Sequence, residues 1–550
     1  MRAFLIALLA CAASAQTVTV TVDAARSMGP VRPIWRYFGH DEPNYTYMKD
    51  GRKLLSELAA LSPLPVYMRV HNLLTSGDGT PALKWGSTNA YTEDAAGNPR
   101  YDWTILDRIF DCYVERGMKP LVEIGFMPEA LSVKPQPYKH NWSPAGGKIV
   151  AGWAYPPRDY GKWSELIYQW VRHSIERYGK DEVVTWAWEV WNEPDISYWQ
   201  STPEEYYKLY DYTVDAVRRA LPEARVGGPT STGPGSQKAA AFLRGFLEHV
   251  TRGKNYVTGK TGSPIDFISF HAKGRPRVVE GHVRMGSEFQ LRDIDAGFRI
   301  VASFPELNKL PIILGESDPE GCAACSVEHH PQNAYRNGTM YSSYTAATFA
   351  RKHELAARHK VNLEGALTWA FEFEDQPYFA GFRDLATNGI DKPVLNVFRM
   401  FGMMRGNRLE AKSSGMATLD SMLEKGVKDS PDIGVFATRD DRQIAIMLWN
   451  YHDDDLPGPA ADIDVTVTGV PAGRVLMHHY AIDADHSNSY EVWKKMGSPQ
   501  SPSDAQYAQL ERAGQLELAG SPEWRNVADG KMALKLALPR QGVALLTLSW

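Results

Sequence analysis

Between Ile34 and Phe371 the chain offers eight short apolar runs, with helical patterns in most of the gaps. The runs are Ile34–His40, Val66–Asn72, Pro120–Phe126, Thr185–Asn192, Arg225–Pro229, Asp266–His271, Pro311–Glu316 and Gly365–Phe371. Helical spacing is carried by Asp102–Arg116, Gly161–Tyr178, Glu204–Leu221, Ala239–Val250 and Tyr341–Lys360. Short apolar strands alternating with amphipathic helices imply a parallel sheet. Eight such units predict an α/β fold, a (β/α)8 TIM barrel with insertions. One helix start is fully marked. Thr202-Pro203-Glu204-Glu205 supplies an N-cap, a proline at the first helical position and acidic residues in the first turn.

After about Asn407 the texture changes. Asp432–Thr438, Gln443–Asn450, Ile463–Thr468, Arg474–Tyr480 and Lys531–Leu548 read as short strands, with no strong helical repeat between them. This predicts a barrel over residues 16–406 and a C-terminal antiparallel β-sandwich over 407–550. The alternating stretch Thr17–Val22 precedes the first barrel strand. It is expected to add to the C-terminal sheet, with residues 17–27 as the pairing segment.

Residues 1–15 read as a secretory signal: Arg2, an apolar run from Phe4 to Ala10, then Ala13-Ser14-Ala15 as a cleavage site. The protein is therefore expected to be secreted or periplasmic, with lipid attachment at Cys11 as the lesser alternative. No stretch reads as transmembrane. The net charge of −5 on 550 residues gives no sign of nucleic-acid binding. The 16 Trp and 26 Tyr serve either core packing or stacking on sugar rings, and composition does not separate the two. Cys322 and Cys325 have metal-like spacing, but no second pair exists, so an exported chain is expected to join them as a local disulfide. Cys112 reads as a core thiol. No metal or organic cofactor is expected.

Two strand runs end in a glutamate. One is Trp186–Asp195, which closes on Trp191-Asn192-Glu193-Pro194; the other is Pro311–Ser317, which closes on Gly315-Glu316. In a barrel, residues at different strand ends converge on one face. Two carboxyl groups there are the equipment for glycoside hydrolysis: one protonates the leaving oxygen, the other attacks the anomeric carbon or activates water. Asp318 and Glu320 are rivals in the second loop but lie beyond the strand end. Glu189 shares side-chain parity with Glu193, deeper in the barrel. It is expected to pair with a cation, and Arg69 on strand two is the candidate.

The run Trp188-Glu189-Val190-Trp191-Asn192-Glu193-Pro194 resembles the acid/base motif of glycoside hydrolase family 39, the β-xylosidases and α-L-iduronidases. The resemblance extends over nearly the whole chain. It implies Glu193 as general acid/base, Glu316 as nucleophile, retention of configuration, and Asn192 on the sugar 2-hydroxyl near the nucleophile. The loop Glu316-Ser317-Asp318-Pro319-Glu320-Gly321 departs from the Glu-Phe/Tyr-Asn-Thr-Ser of many xylosidases in the family. The reading is an exo-acting β-xylosidase working on oligosaccharide ends. The alternatives are the same machinery on an α-L-arabinopyranoside, β-glucoside or uronic acid, or a non-catalytic carbohydrate-binding protein. No cation was visible for a sugar carboxylate.

Asn192 and Glu193 face opposite sides under strict alternation, so the strand must end or bulge there. Arg69 either lowers the pKa of Glu316 or serves a structural ion pair, and both roles are compatible. His271 is a candidate partner of Glu316 or of a sugar hydroxyl. His40, Asp41, His71, Asn72 and Trp369 are assigned to sugar contacts, Trp369 as a platform under the ring. The Pro-, Trp- and Tyr-rich stretch Met127–Tyr160 is read as a pocket wall, against an exposed loop.

Overall fold

A computed structural model describes residues 17–550. The secretory signal and Cys11 lie outside the described residues. Eight strands run parallel around a barrel: Tyr37–His40, Tyr67–Val70, Lys119–Ile124, Ala187–Val190, Arg225–Ser231, Phe267–Phe270, Pro311–Leu314 and the split strand Asn362–Ala366/Thr368–Trp369. We number them one to eight. The two pieces of strand eight close the ring. Ile312 pairs with Leu363 on one side, while Thr368 and Trp369 pair with Phe38 and Gly39 on the other.

The helices form where amphipathic spacing places them, and their apolar faces pack on the strands. Pro203–Ala220 starts at Thr202, whose hydroxyl accepts the Glu205 amide. Lys49–Ala59, Ser287–Ala302 and Pro393–Gly402 are further helices that the pattern did not mark. The third ends on Gly402, and the other two carry a glycine inside the helix, which weakens helix propensity by about 1 kcal/mol. Tertiary packing requires both: a Cβ on Gly297 would lie 2.3 Å from the Phe270 ring, and one on Gly51 would lie 2.1 Å from the Tyr45 carbonyl oxygen.

The second sheet is mostly antiparallel. It runs through Asn407–Ser413, Asp432–Arg439, Gln443–Tyr451 and Val543–Ser549 to Arg474–Ile482. The N-terminal strand Val18–Pro30 pairs antiparallel with Asn407–Ser413 and parallel with Ala461–Thr468. Strands far apart along that path share one core, with Val475 and Met477 joining Ile463, Val465 and Met532. The other face of the sheet (Phe436, Met447, Trp449, Leu545) belongs to the barrel's own core, so the two units are fused. Lys531–Leu548 splits into Met532–Leu538 and Val543–Ser549 around a turn. Residues 407–550 also contain helices Leu419–Lys425, Ser489–Lys495 and Asp504–Ala513, which strand patterning overlooked. The last of these has a legible start, a capping box between Ser503 and Gln506. Among the described residues no helix is long and apolar enough to cross a membrane.

Candidate active site

Strand four stops at Val190, and the backbone then leaves extended geometry. Trp191 has φ +71° and Glu193 φ +45°, both left-handed. Such residues cost about 1–2 kcal/mol each, so the surroundings must hold them. The Trp191 indole N–H donates to the Tyr198 carbonyl at 3.0 Å, and the Glu193 amide donates to the Thr230 carbonyl at 3.0 Å. This turn is the required break in alternation. Asn192 and Glu193 both line the same cavity at the barrel mouth.

Beneath it Arg69 is fully buried and holds four groups together. Its Nε lies 2.5 Å from Glu189, and its Nη2 lies 2.8 Å from Glu123. Nη2 also donates to Asn192 Oδ1 and Thr230 Oγ1, each at 3.0 Å. Nη1 stands 3.7 Å from Glu316. Burial opposes the guanidinium charge, but Glu123 and Glu189 more than restore it and raise its pKa. Arg69 thus pairs with Glu189 on one side and faces Glu316 on the other.

Thr230 passes this network to Glu193. Its hydroxyl accepts from Arg69 and is 3.0 Å from His271 Nε2, while His271 Nδ1 is 2.8 Å from Glu193 Oε1. The two ring nitrogens of His271 are thus held between the Thr230 hydroxyl and the Glu193 carboxyl group. His271 Nδ1 is also 3.8 Å from Glu316 Oε1, so it stands between the two carboxyl groups.

Glu316 follows strand seven and is set among basic side chains. Lys273 Nζ is 2.5 Å from Oε2, Arg383 Nη2 is 3.6 Å from it, and His71 Nε2 is 3.6 Å from Oε1. Burial alone would push its pKa up. Lys273, His271 and Arg383 outweigh burial and hold it well below the usual carboxylate range. Asp318 is buried rather than exposed, its oxygens taken by Lys273 at 2.9 Å and Arg383 at 2.7 Å. Glu320 pairs with Arg336 at 2.7 Å. Both rivals are therefore occupied.

Glu193 and Glu316 open on a cavity of about 200 Å³ that Asp41, His71, Lys84 and Tyr198 also line. A narrower extension adds Asn72, Trp85, His140 and Trp153. Ile149, His140 and Trp153 come from the long stretch after strand three, which is thus a wall of the cavity and not an outlying loop. A larger open groove of about 990 Å³ lies on the barrel flank, lined by Tyr207, His249 and Tyr256; it touches no strand end and none of these carboxylates.

Two sugar-contact assignments do not match the geometry. His40 stacks on Phe371 at 4.1 Å, its Nε2 is 3.4 Å from the Tyr113 hydroxyl, and it does not line the cavity. Alternation explains this: Asp41 points inward, so its neighbour His40 points toward the helix layer. Trp369 is fully buried. Its N–H donates to Asp41 at 2.6 Å, and the Arg69 guanidinium lies 5.1 Å from its ring centroid. It supports the floor and presents no free face to a sugar. Asn72 borders the extension, but its amide already serves the Asp41 carbonyl and the Thr75 hydroxyl.

Sequence reading missed Glu123, Lys84, Lys273 and Arg383. Lys273 lies two residues past His271, so strand parity was an available signal. Glu123 lies within the strand-three run. It sits 2.5 Å from His71 Nδ1, and burial pushes its pKa well up. Lys84 and Arg383 sit in loops with no local mark. Lys84 pairs with Asp41. Cys322 and Cys325 are joined by a disulfide, and Cys112 is a free buried thiol.

The family model described as Glycosyl hydrolases family 39 matches residues 18–528. A β-xylosidase of Geobacillus stearothermophilus is 26% identical over 495 residues, covering 87% of this chain and 85% of its own. An α-L-iduronidase of Mus musculus is 26% identical over 547 residues, covering 92% and 77%. The crystal structure of a family 39 enzyme from Xanthomonas axonopodis pv. citri superposes with a TM-score of 0.74 at 22% identity, covering 96% and 97%.

Proposed function

The chain belongs to glycosyl hydrolase family 39 and is an O-glycosyl hydrolase, and from that premise we propose that it works by double displacement, with Glu316 as nucleophile and Glu193 as general acid/base. The observation that carries this is the electrostatic split between them. Glu316 alone is surrounded by Lys273, Arg383 and Arg69, which keep it ionised. Glu193 has no lysine or arginine ion-pair partner among the described residues and meets only His271. Such a split assigns acid and nucleophile roles in this chemistry. The separation supports retention. His271 Nδ1 reaches both Oε1 atoms, at 2.8 and 3.8 Å, so they lie no farther apart than those two legs laid end to end. That ceiling admits the ~5–5.5 Å of retaining enzymes and leaves out nearly all of the ~6.5–9.5 Å range of inverting ones.

In the first step Glu316 attacks the anomeric carbon while Glu193 protonates the departing oxygen. In the second, Glu193 takes a proton from water, which displaces Glu316. The cavity of about 200 Å³ is smaller than the ~300–1,000 Å³ of drug-sized ligand sites. That size supports exo action on one terminal sugar. A β-xyloside, which has no exocyclic carbon to place, fits such a space, and β-xylosidases stand among the relatives. A second reading, a uronic acid glycoside, is favoured by the buried Lys84 ammonium in the cavity wall. Export belongs to the same proposal, supported by the disulfide, which suits an oxidising compartment.

The test is a panel of aryl β-xylosides, α-L-arabinopyranosides, β-glucosides and uronosides, with the anomer of the first product read by NMR. An inverted first product would rule out double displacement; a dominant uronoside rate would select the second reading. Glu193→Ala is expected to lose about 10²–10⁴-fold on substrates that need protonation, and far less on dinitrophenyl glycosides. Equal losses on both would remove Glu193 from the acid role. Because only ionised Glu316 attacks, the acid limb of kcat/KM should lie below the ordinary glutamate value of ~4.3. A limb at pH 6 would contradict the depressed carboxyl described above.

A further inference from the structure

The loop after strand seven contains a feature that the reaction has not used. Gly321 and Cys322 form part of the cavity wall opposite Glu193, and the disulfide to Cys325 closes the turn behind them. The main chain of this turn holds Arg383. The Arg383 amide donates to the Ala323 carbonyl at 2.9 Å, and its Nη1 donates to the Glu320 carbonyl. The remaining contact of Nη1 is Asp318 at 2.7 Å. Arg383 is buried, and its Nε and Nη2 have no hydrogen-bond partner among the described residues. Nη2 is the nitrogen 3.6 Å from Glu316. The guanidinium therefore rests on Asp318 and on the Glu320 carbonyl, two residues before the disulfide-closed turn, while the Ala323 carbonyl inside that turn holds the Arg383 main chain. The far side of the turn is anchored separately, the Cys325 carbonyl accepting from Asn333 at 2.9 Å and Arg336 at 3.3 Å.

We propose that the Cys322–Cys325 disulfide is a positioning element of the active site: by fixing the Ala323 carbonyl, which accepts the Arg383 amide, it seats Arg383 against the nucleophile. This rests on the reading of Glu316 as nucleophile. A four-residue ring removes freedom from the turn. Without it the Ala323 carbonyl can rotate, and the Arg383 main chain loses the acceptor that seats its guanidinium between Asp318 and the Glu320 carbonyl.

The consequence is electrostatic and partial. Glu316 also faces Lys273, Arg69, His71 and His271, which remain. Asp318 and Asp41 face it with the opposite sign, and losing Arg383 leaves their influence less opposed. A cation within a few ångströms lowers a carboxyl pKa by about 1–3 units. Displacing one of several cations should then raise the acid limb of kcat/KM by about one pH unit, the low end of that range. Below the limb this reads as a roughly ten-fold loss of rate.

The experiment is reduction of the folded enzyme with a water-soluble phosphine. The phosphine becomes its oxide, water supplying the oxygen and the two sulfurs ending as thiols. Peptide mapping after alkylation verifies that Cys322 and Cys325 carry the label, and circular dichroism verifies the fold. The expected result is the raised acid limb, reproduced by Cys322→Ser/Cys325→Ser. Arg383→Met should show the same limb and be indifferent to further reduction, because both changes remove one interaction. An unmoved limb in the reduced, folded wild type overturns the proposal, as does an Arg383→Met enzyme that still shifts on reduction. If Arg383→Met does not fold, the reduced wild type decides alone. If the reduced protein and the serine variant both unfold, the disulfide is a folding staple and the positioning role is likewise overturned. Glu316→Gly serves as the separate control. Activity surviving there refutes the nucleophile reading itself, whereas a dead Glu316→Gly with an unmoved limb refutes only the disulfide's part.

Discussion

Glu316→Gly is expected to lower turnover of aryl glycosides by at least ~10⁴-fold, the scale on which removal of a covalent nucleophile is felt. No other carboxylate can take over. Asp318 is bound on both oxygens by Lys273 and Arg383, and Glu320 is bound by Arg336. Glu123 and Glu189 lie below the floor against Arg69. The glycine leaves a space beside Lys273, Arg383 and Arg69, a cationic hollow shaped for a small anion. Azide should occupy it, attack the anomeric carbon from the vacated side and restore turnover as a glycosyl azide of inverted configuration. An azide product of retained configuration would place the nucleophile elsewhere. Full activity without azide would dismiss Glu316 altogether.

Arg69→Ala is expected to cost about 3–5 kcal/mol of stability, the price of stranding buried charge. Glu189 loses its 2.5 Å partner, Glu123 loses its 2.8 Å partner, and both residues are fully buried. The loss should appear as a lower denaturant midpoint or melting temperature. Activity should fall as well, because Asn192 and Thr230 lose their common donor and the turn that presents Glu193 slackens. Arg69→Met combined with Glu189→Gln should recover part of the stability and little of the activity, since it removes charge from the floor without rebuilding the donor. If Arg69→Ala melts like the wild type, the ion network contributes nothing to stability and this account of the barrel floor is wrong.

The strands, the main helices and the family were legible because their signals are local. An apolar run marks a barrel strand wherever it occurs, and Trp191-Asn192-Glu193-Pro194 is contiguous. Even the break in alternation at Asn192 could be deduced, because two adjacent residues needed to face one cavity. His40 was misassigned through neglect of the same rule, since its partner Asp41 had already taken the inward position. Trp369 was beyond local rules. Its position at the end of strand eight was right, but whether an indole presents a face or supports a floor depends on what arrives above it, and here that is Arg69 and His71. The cations were the largest omission. Lys84 and Arg383 come from loops after strands two and eight, and nothing in their flanking residues says that one will reach Asp41 and the other Glu316.

The sequence by itself determined the barrel, the fused β-rich unit and two glutamates at strand ends, because periodicity and strand-end placement are properties of a few neighbouring residues. Only the tertiary structure decided which glutamate is held ionised, which aromatic residues meet the cavity, and that the loop beyond strand seven is closed by a disulfide against Arg383. Those outcomes depend on distances between segments hundreds of residues apart. They are set when the ring of strands closes at Thr368 and Trp369 and brings eight loops onto one face.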